Sequence, residues 1–269
     1  MRHTLTLYRR LLGVQIRSQL QYRVAFFMDL LATGLTVCLE FASLALVLQR
    51  FQHIRGWTMG EVAFLYGMVE IAFGIMDLVF SGFDPGRFGQ EVRRGTFDQI
   101  LLRPVNITVQ VLTLDFALRR LAKITVGIGI FIVGLQGTMI TWTPAKLLYL
   151  PFVLGSMVCF FGGLFVVGAT ITFWTVESIE VMNILTYGGS FTISYPMSIY
   201  PDWLRRFFTY IVPAIFLNYY PALYILDKPD PFNFPPIAPF LAPLVGLITL
   251  ALSLAFWRFG ITHYQSTGT

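Results

Sequence analysis

Long apolar stretches recur along the chain, and they constrain its fold more than any other feature. The first covers residues 24–48, and others cover 59–82, 147–174 and 238–259. A helix of about 20 apolar residues crosses the hydrocarbon core of a bilayer. Only 12% of the 269 residues are charged, about half the share that is usual in a soluble domain. The sequence therefore predicts an all-α integral membrane protein.

Six transmembrane helices with both termini in the cytoplasm fit the charge distribution. Two further spans are expected, one from about Arg119 to Gly137 and one over 181–199. With this topology most arginines and lysines lie on the inner side, as in other membrane proteins. Residues 1–23 are then a separate amphipathic segment, and residues 24–269 form a six-span transmembrane domain.

The N-terminal segment 4–22 has apolar residues at helical spacing and arginines between them. Its apolar side is formed by Leu5, Tyr8, Leu12, Ile16 and Leu20. Because this segment runs directly into the first span, we expect it to lie in the plane of the inner leaflet. A solvated N-terminal helix is the alternative.

The longest polar break in the chain is 84–106, and its excess of arginine predicts a cytoplasmic loop. The centre of this loop is typical of a short amphipathic helix, with Thr96 as its cap and Pro104 at its end. The apolar face has the spacing i, i+3, i+4 and consists of Phe97, Ile100 and Leu101. Such a face suits docking onto a soluble partner, and lying in the lipid interface is the alternative.

Residues 200–237 are rich in proline and aromatic residues. They are apolar enough to enter a bilayer but too broken to cross it as one helix. We expect a re-entrant pair of short helices, 202–211 and 214–226, hinged at Pro213. Broken backbone of this kind is tolerated where it packs on protein or faces water. Two separate spans are the alternative.

Three carboxylates fall within the predicted spans: Glu40, Glu70 and Asp77. A charge at that depth is costly and usually faces the protein interior or water. Glu40 and Glu70 are therefore candidates for lining a translocation path. The alternative is structural pairing with Arg119, Arg120 or Lys123, which we favour for Asp77.

The order of these elements, together with two stretches, resembles a known family. The stretches are RRGTFDQILLRP at 93–104 and VPAIFLNYYPA at 212–222. They are similar to the permease subunit of ABC-2 type ABC transporters, in the bacterial branch described as ABC-2 family transporter proteins. The resemblance covers essentially the whole chain and implies the fold of a type V exporter, located in the inner (plasma) membrane.

The resemblance also implies roles for the segments. The N-terminal helix would be the connecting helix, and the re-entrant pair would cap the outer end of the path. The segment 93–104 would be the coupling helix seated in the ATP-binding subunit, with the contact residues Arg93, Arg94, Thr96, Phe97, Asp98, Ile100, Leu101 and Arg103. Two ATP-binding subunits and a second permease subunit, either identical or paralogous, would complete the transporter.

No nucleotide-binding motif occurs in the chain, so any ATP and Mg²⁺ are expected in the partner subunit. We therefore predict a permease that is not an enzyme and has no cofactor of its own. Its net charge of +5 is explained by topology and anionic lipids rather than by nucleic acid. A secondary transporter driven by an ion gradient and using the intramembrane carboxylates is the alternative. A membrane enzyme acting on lipid would need a polar catalytic cluster that the sequence does not provide.

Overall fold

The computed structural model describes residues 13–51, 55–175 and 179–266. All regular elements in these ranges are helices. The N-terminal amphipathic helix predicted over 4–22 lies partly outside the described residues, and its described part is helical over 13–21 (α1).

Four helices in the described ranges are long and apolar enough to cross a membrane. They are α2 (Arg23–Phe51), α3 (Met59–Phe80), α8 (Pro144–Ile171) and α13 (Ala242–His263). Of these, α3 is the most enclosed by the rest of the chain and α2 is the least. The helix α7 (Arg120–Gln136) is shorter, with 17 residues, and packs along α3.

The predicted fifth span, 181–199, is not one regular helix. The helix α9 (Ile179–Asn183) passes through a π-helical turn (Ile184–Gly188) into α10 (Gly189–Ile193). Such turns arise where one extra residue is accommodated within a helix. By length and composition the described residues provide four spans, or five if the bent pair described below is counted. Six spans therefore stay a prediction.

Glycines allow α3 and α7 to approach closely. On α3 they recur at every seventh position, at Gly60, Gly67 and Gly74. On α7, a β-carbon added to Gly134 would come within 2.5 Å of the backbone nitrogen of Phe64. Small residues at a helix interface replace side-chain packing by backbone contact, which is common between membrane helices.

Three short helices lie at one end of the bundle. They are α4 (Pro85–Arg93), α5 (Thr96–Leu101) and α6 (Ile107–Leu112), and we call them the α4–α6 segment. This segment covers the C-terminal ends of α3, α8 and α13 through buried aromatic side chains.

The opposite end carries the pair predicted over 202–226. The helix α11 (Asp202–Arg206) continues through a π-helical turn (Phe207–Ile211), and the chain breaks before α12 (Tyr219–Ile225). The two halves, Asp202–Ile211 and Ala214–Ile225, are bent by 84°. The two short helical halves and the break between them agree with the expected hinge at Pro213. Their re-entry into a membrane stays a prediction.

Candidate functional site

The helix α5 starts and ends differently from the sequence-based prediction. Thr96 is not the cap, because Gly95 takes that position with a φ of 68°, a left-handed conformation that glycine adopts readily. The Thr96 hydroxyl instead donates to the Glu91 carbonyl at 2.9 Å, which ties α5 to α4. The helix ends at Leu101, before Pro104 is reached.

The apolar face of α5 is buried within this chain. Phe97 is fully buried and Ile100 is 4% exposed. The Phe97 ring belongs to a cluster that also contains Phe83, Phe88, Phe173, Trp257 and Tyr264. Phe97 and Ile100 therefore cannot form the docking face that the sequence predicted for them, because both help to close the core between α4, α8 and α13.

The opposite side of the segment is open to a partner. Several of its side chains are exposed, and we call five of them the basic edge: Arg93, Arg94, Gln99, Leu102 and Arg103. Leu102 is 85% exposed, the highest value for any apolar residue in the segment. Thr96, Asp98 and Leu101, which were also predicted to contact a partner, are half-buried.

Asp98 joins α5 to the end of the chain. Its carboxylate accepts a hydrogen bond from the Tyr264 hydroxyl at 2.9 Å and one from the Ser266 hydroxyl at 2.6 Å. Burial, followed by the hydrogen bond to Asp98 and the charge of that carboxylate, raises the pKa of Tyr264 to about 12. The residues that follow α13 are thus held against α5.

Two ion pairs lie in the interface between α3 and α7. Asp77 is 1% exposed and its Oδ2 lies 2.9 Å from Arg120 Nε. Glu70 is 7% exposed and its Oε2 lies 3.4 Å from Lys123 Nζ. Buried charges of this kind are tolerated when they are paired. The structural interpretation favoured for Asp77 agrees with this geometry, and Glu70 is paired in the same way.

Glu40, the other candidate path-lining residue, is exposed on α2. Its Oε2 accepts a hydrogen bond from the Tyr66 hydroxyl at 3.2 Å, which links α2 to α3. Of the two candidates, only Glu40 presents an accessible carboxylate, because Glu70 is enclosed by its partner.

The described part of α1 packs against the chain that leads from α6 to α7. Gln15 donates to the Leu114 carbonyl at 3.2 Å, and Gln19 accepts from the Leu118 backbone N–H at 2.9 Å. Gln19 also donates to the Phe116 carbonyl. The described part of this helix, residues 13–21, is therefore attached to the α4–α6 end of the molecule.

The family model of ABC-2 family transporter proteins matches residues 35–268. The chain belongs to the ABC-2 transporter family. No curated protein and no solved structure gives a match. As an ABC-2 type permease the chain is a multi-pass membrane protein and a component of membrane transport. Family membership also implies association with an ABC ATP-binding subunit.

Several residues of this ABC-2 permease were missed by sequence reasoning. Asn218 is fully buried and donates to the carbonyls of Leu65 and Ile193, at 3.3 and 2.8 Å. It thereby connects the bent pair to α3 and α10. A single amide within an aromatic run was the only available signal, and a sequence does not show which carbonyls it will reach.

Two ion pairs at the bent-pair end were also missed. Lys228 Nζ lies 2.7 Å from Glu61 Oε1, and Lys146 Nζ lies 2.6 Å from Asp227 Oδ2. The partners are far apart in sequence, so spacing along the chain gives no indication of them. Together they attach the loop after α12 to the starts of α3 and α8.

Proposed function

We propose that this chain is the permease subunit of an ATP-driven ABC-2 exporter, coupled to a separate ATP-binding subunit through the α4–α6 segment. The observation that supports this best is the two-sided character of the α4–α6 segment. Its basic edge is exposed and suits a partner, whereas Phe97 of α5, on the other side, is packed against the ends of two long helices.

The aromatic cluster provides the route by which a push on α5 reaches the transmembrane helices. Phe97 lies 5.2 Å from Phe173, just after α8, and 6.4 Å from Trp257 in α13, measured between ring centres. Close-packed side chains transmit displacement because there is little free volume to absorb it. The bond between Asp98 and Tyr264 adds a second connection to the end of α13.

The assembly follows from the same proposal. Two copies of the ATP-binding subunit would hold ATP and Mg²⁺, and this chain would need no cofactor. A second permease subunit, identical or paralogous, would complete the path, with lipids covering the remaining apolar surface. The chain would cross the inner (plasma) membrane six times, with both termini in the cytoplasm and α1 as the connecting helix.

Within this scheme Glu40 is the better candidate for lining the path. Its carboxylate is accessible on α2, while Glu70 lies behind it in the ion pair with Lys123. Tyr66 connects the two regions through its bond to Glu40. A path formed between two permease subunits would then meet one polar group on each α2.

The test is co-purification of this chain with its ATP-binding subunit from the native host. A triple variant, Arg93→Glu, Arg94→Glu and Leu102→Asp, should lose the ATP-binding subunit and its ATP-dependent transport. Because these side chains are exposed, the thermal unfolding midpoint of the permease should be unchanged. Arg258→Glu, an exposed charge reversal in α13, is the matched control and should retain the subunit.

Phe97→Asp serves as the structural counterpart to that variant. It would place a carboxylate in a fully buried aromatic site, and an unpaired buried charge is strongly destabilising. We expect a lower unfolding midpoint even without the partner.

Retention of the ATP-binding subunit by the triple variant at wild-type yield would overturn the coupling proposal.

The ion-gradient alternative depends on an accessible carboxylate within the membrane. Glu70 was its main support, and that side chain is paired with Lys123 and largely enclosed. Transport that continues without ATP and stops when the ion gradient is collapsed would restore this alternative.

A further inference from the structure

A cavity lies at the bent-pair end of the bundle, between the start of α3 and the loop that follows α12. Its volume is about 460 Å³, which is within the range of small-molecule sites in proteins. It is lined by Gly56 and Trp57 on one side, by Tyr219 and Leu223 of α12 on another, and by the loop residues up to Phe232.

Three cationic side chains line this cavity: Arg55, Arg205 and Lys228. Two of them are held in place by aromatic rings. Lys228 Nζ lies 4.9 Å from the centre of the Trp57 ring, and the Arg205 guanidinium lies 4.1 Å from the centre of the Phe232 ring. Contacts between a cation and a ring face fix the orientation of the charged group.

The nearby carboxylates are not among the lining residues. Glu61 accepts from the Lys228 ammonium at 2.7 Å and also from the Thr58 backbone N–H. Asp202 pairs with Arg205 at 2.8 Å and is itself 72% exposed. Lys228 also donates to the Gly56 carbonyl at 2.9 Å. An ammonium has three donors and a guanidinium five, so these partners do not exhaust either group.

Asp230 does not line the cavity either. Its two carboxylate oxygens accept hydrogen bonds from the backbone N–H groups of Phe232 and Phe234, at 2.9 and 2.7 Å. The charged side chains that line the cavity are therefore all cationic.

A buried hydroxyl completes the site. Tyr219 lines the cavity and is fully buried, yet its hydroxyl makes no well-formed hydrogen bond within the described residues. The Ser198 hydroxyl, which also lines the cavity, lies within electrostatic reach of Tyr219 and likewise forms no hydrogen bond within the described residues. Buried hydroxyls normally have partners, so an unpaired one at a cavity wall indicates a position for a polar ligand atom.

We infer that this cavity binds an organic anion, a carboxylate or phosphate ester carrying an apolar or aromatic group. The anionic group would lie between Arg205 and Lys228, its polar atoms would reach Tyr219, and its apolar part would lie against Trp57 and Phe232. Binding of such an anion does not depend on the proposed function. The further statement that such an anion is the class of substrate exported does rest on it.

The test uses the full chain labelled with 5-fluorotryptophan in a neutral detergent. The Trp57 fluorine resonance is assigned with Trp57→Phe, and 1-naphthyl phosphate is the probe. We expect a saturable shift of the Trp57 resonance, and at least a tenfold weaker apparent affinity in Arg205→Gln and in Lys228→Gln. The cation 1-naphthylmethylammonium should leave the resonance unchanged.

Arg206→Gln is the matched control, because Arg206 is the next residue on α11, is exposed and does not line this cavity. Tyr219→Phe removes only the unpaired hydroxyl, so it tests the site without removing a charge and should weaken binding. Equal effects of Arg205→Gln and Arg206→Gln, or an equal shift with the cation, would overturn the inference.

Repeating the titration in lipid nanodiscs distinguishes a lipid headgroup from a soluble anion. If phosphatidylglycerol abolishes the shift that phosphatidylcholine allows, the anionic group belongs to a lipid headgroup. If both lipids allow the shift, a soluble anion is the ligand. The measurement needs no ATP-binding subunit, so failure of the coupling proposal would leave its outcome intact.

Discussion

Gly67 of α3 lies directly against the backbone of Phe131 in α7. A β-carbon on Gly67 would come within 2.6 Å of the Phe131 backbone nitrogen. Seven residues further along α3, a β-carbon on Gly74 would come within 2.7 Å of the Ile124 side chain and 3.3 Å of the Ile124 backbone nitrogen. These contacts set the separation of the two helices that carry the buried ion pairs, so helix spacing and charge pairing depend on each other.

Gly67→Ala should therefore destabilise the permease. The methyl group has no space, and overpacking of a close interface costs about 1–3 kcal/mol. Gly129→Ala is the matched control, because Gly129 is in α7 with nothing within 4 Å of an added β-carbon. It should be neutral or slightly stabilising, since alanine favours helix over glycine. Equal unfolding midpoints for the two variants in detergent would contradict the close contact.

Asp77→Asn should be more damaging than the loss of an exposed ion pair. Removing one member of a buried pair leaves the other charge uncompensated, at a cost of about 3–5 kcal/mol. The double variant Asp77→Asn, Arg120→Gln should lose less than the sum of the single variants, because the uncompensated charge is gone. Unfolding by a denaturing detergent measures the free energy of unfolding of the two single variants and of the double variant.

Asp202→Asn is the comparison for the set of Asp77 and Arg120 variants. Its pair with Arg205 is at the surface, with a side chain that is 72% exposed, and such pairs are worth about 0–1 kcal/mol. If Asp77→Asn changed the free energy of unfolding as little as Asp202→Asn, the pair with Arg120 would not be a buried one.

Asp98→Asn should lower the pKa of Tyr264 without returning it to the ordinary value of 10.0. Burial is the largest cause of the raised pKa and remains in the variant, whereas the carboxylate charge is removed. The tyrosinate absorbance of each protein, minus that of its Tyr264→Phe counterpart, isolates this group. An unchanged value near 12 in Asp98→Asn would show that Asp98 does not act on Tyr264.

Asp227 should make stability depend on pH in the acid range. Hydrogen bonds from Lys146 and Thr141, both at 2.6 Å, lower the pKa of this carboxyl below its ordinary value of 3.8. A lowered pKa in the folded state gives stabilisation that is present above the unfolded value and is lost as pH falls through the folded value.

The measurement is the difference in unfolding midpoint between the wild type and Asp227→Asn. This difference should be constant near neutral pH and should shrink below about pH 4. A difference of the same size in acid and at neutral pH would show that the charge of Asp227 does not stabilise the fold.

The sequence predicted the α4–α6 segment as a region but not its orientation. Helical spacing placed Phe97 and Ile100 on one face, and that grouping agrees with their common burial. An apolar face on a short helix can meet a partner, lipid or the same chain, and spacing alone cannot distinguish these. Two of the rings that cover Phe97 are those of Phe173 and Trp257, which lie far away in sequence.

For the buried charged residues, too, the sequence predicted part of the arrangement and the tertiary structure decided the rest. The cost of isolated charges in an apolar helix favoured a partner for Asp77, and for Glu70 it left pairing as the alternative to lining a path, with Arg119, Arg120 and Lys123 as the candidate partners. Which carboxylate meets which base depended on the register of α3 against α7, which the close glycine contacts determine.

By itself the sequence determined the membrane class, the positions of the four long helices and the broken segment around Pro213. Hydropathy and proline act locally, within one or two turns of helix, so they can be read along the chain. Only the tertiary structure decided that Phe97 faces inward, that the Glu70 carboxylate is enclosed and that a cationic cavity forms between Trp57 and Phe232. Each of these joins residues that are distant in sequence, and the packing of whole helices brings them together.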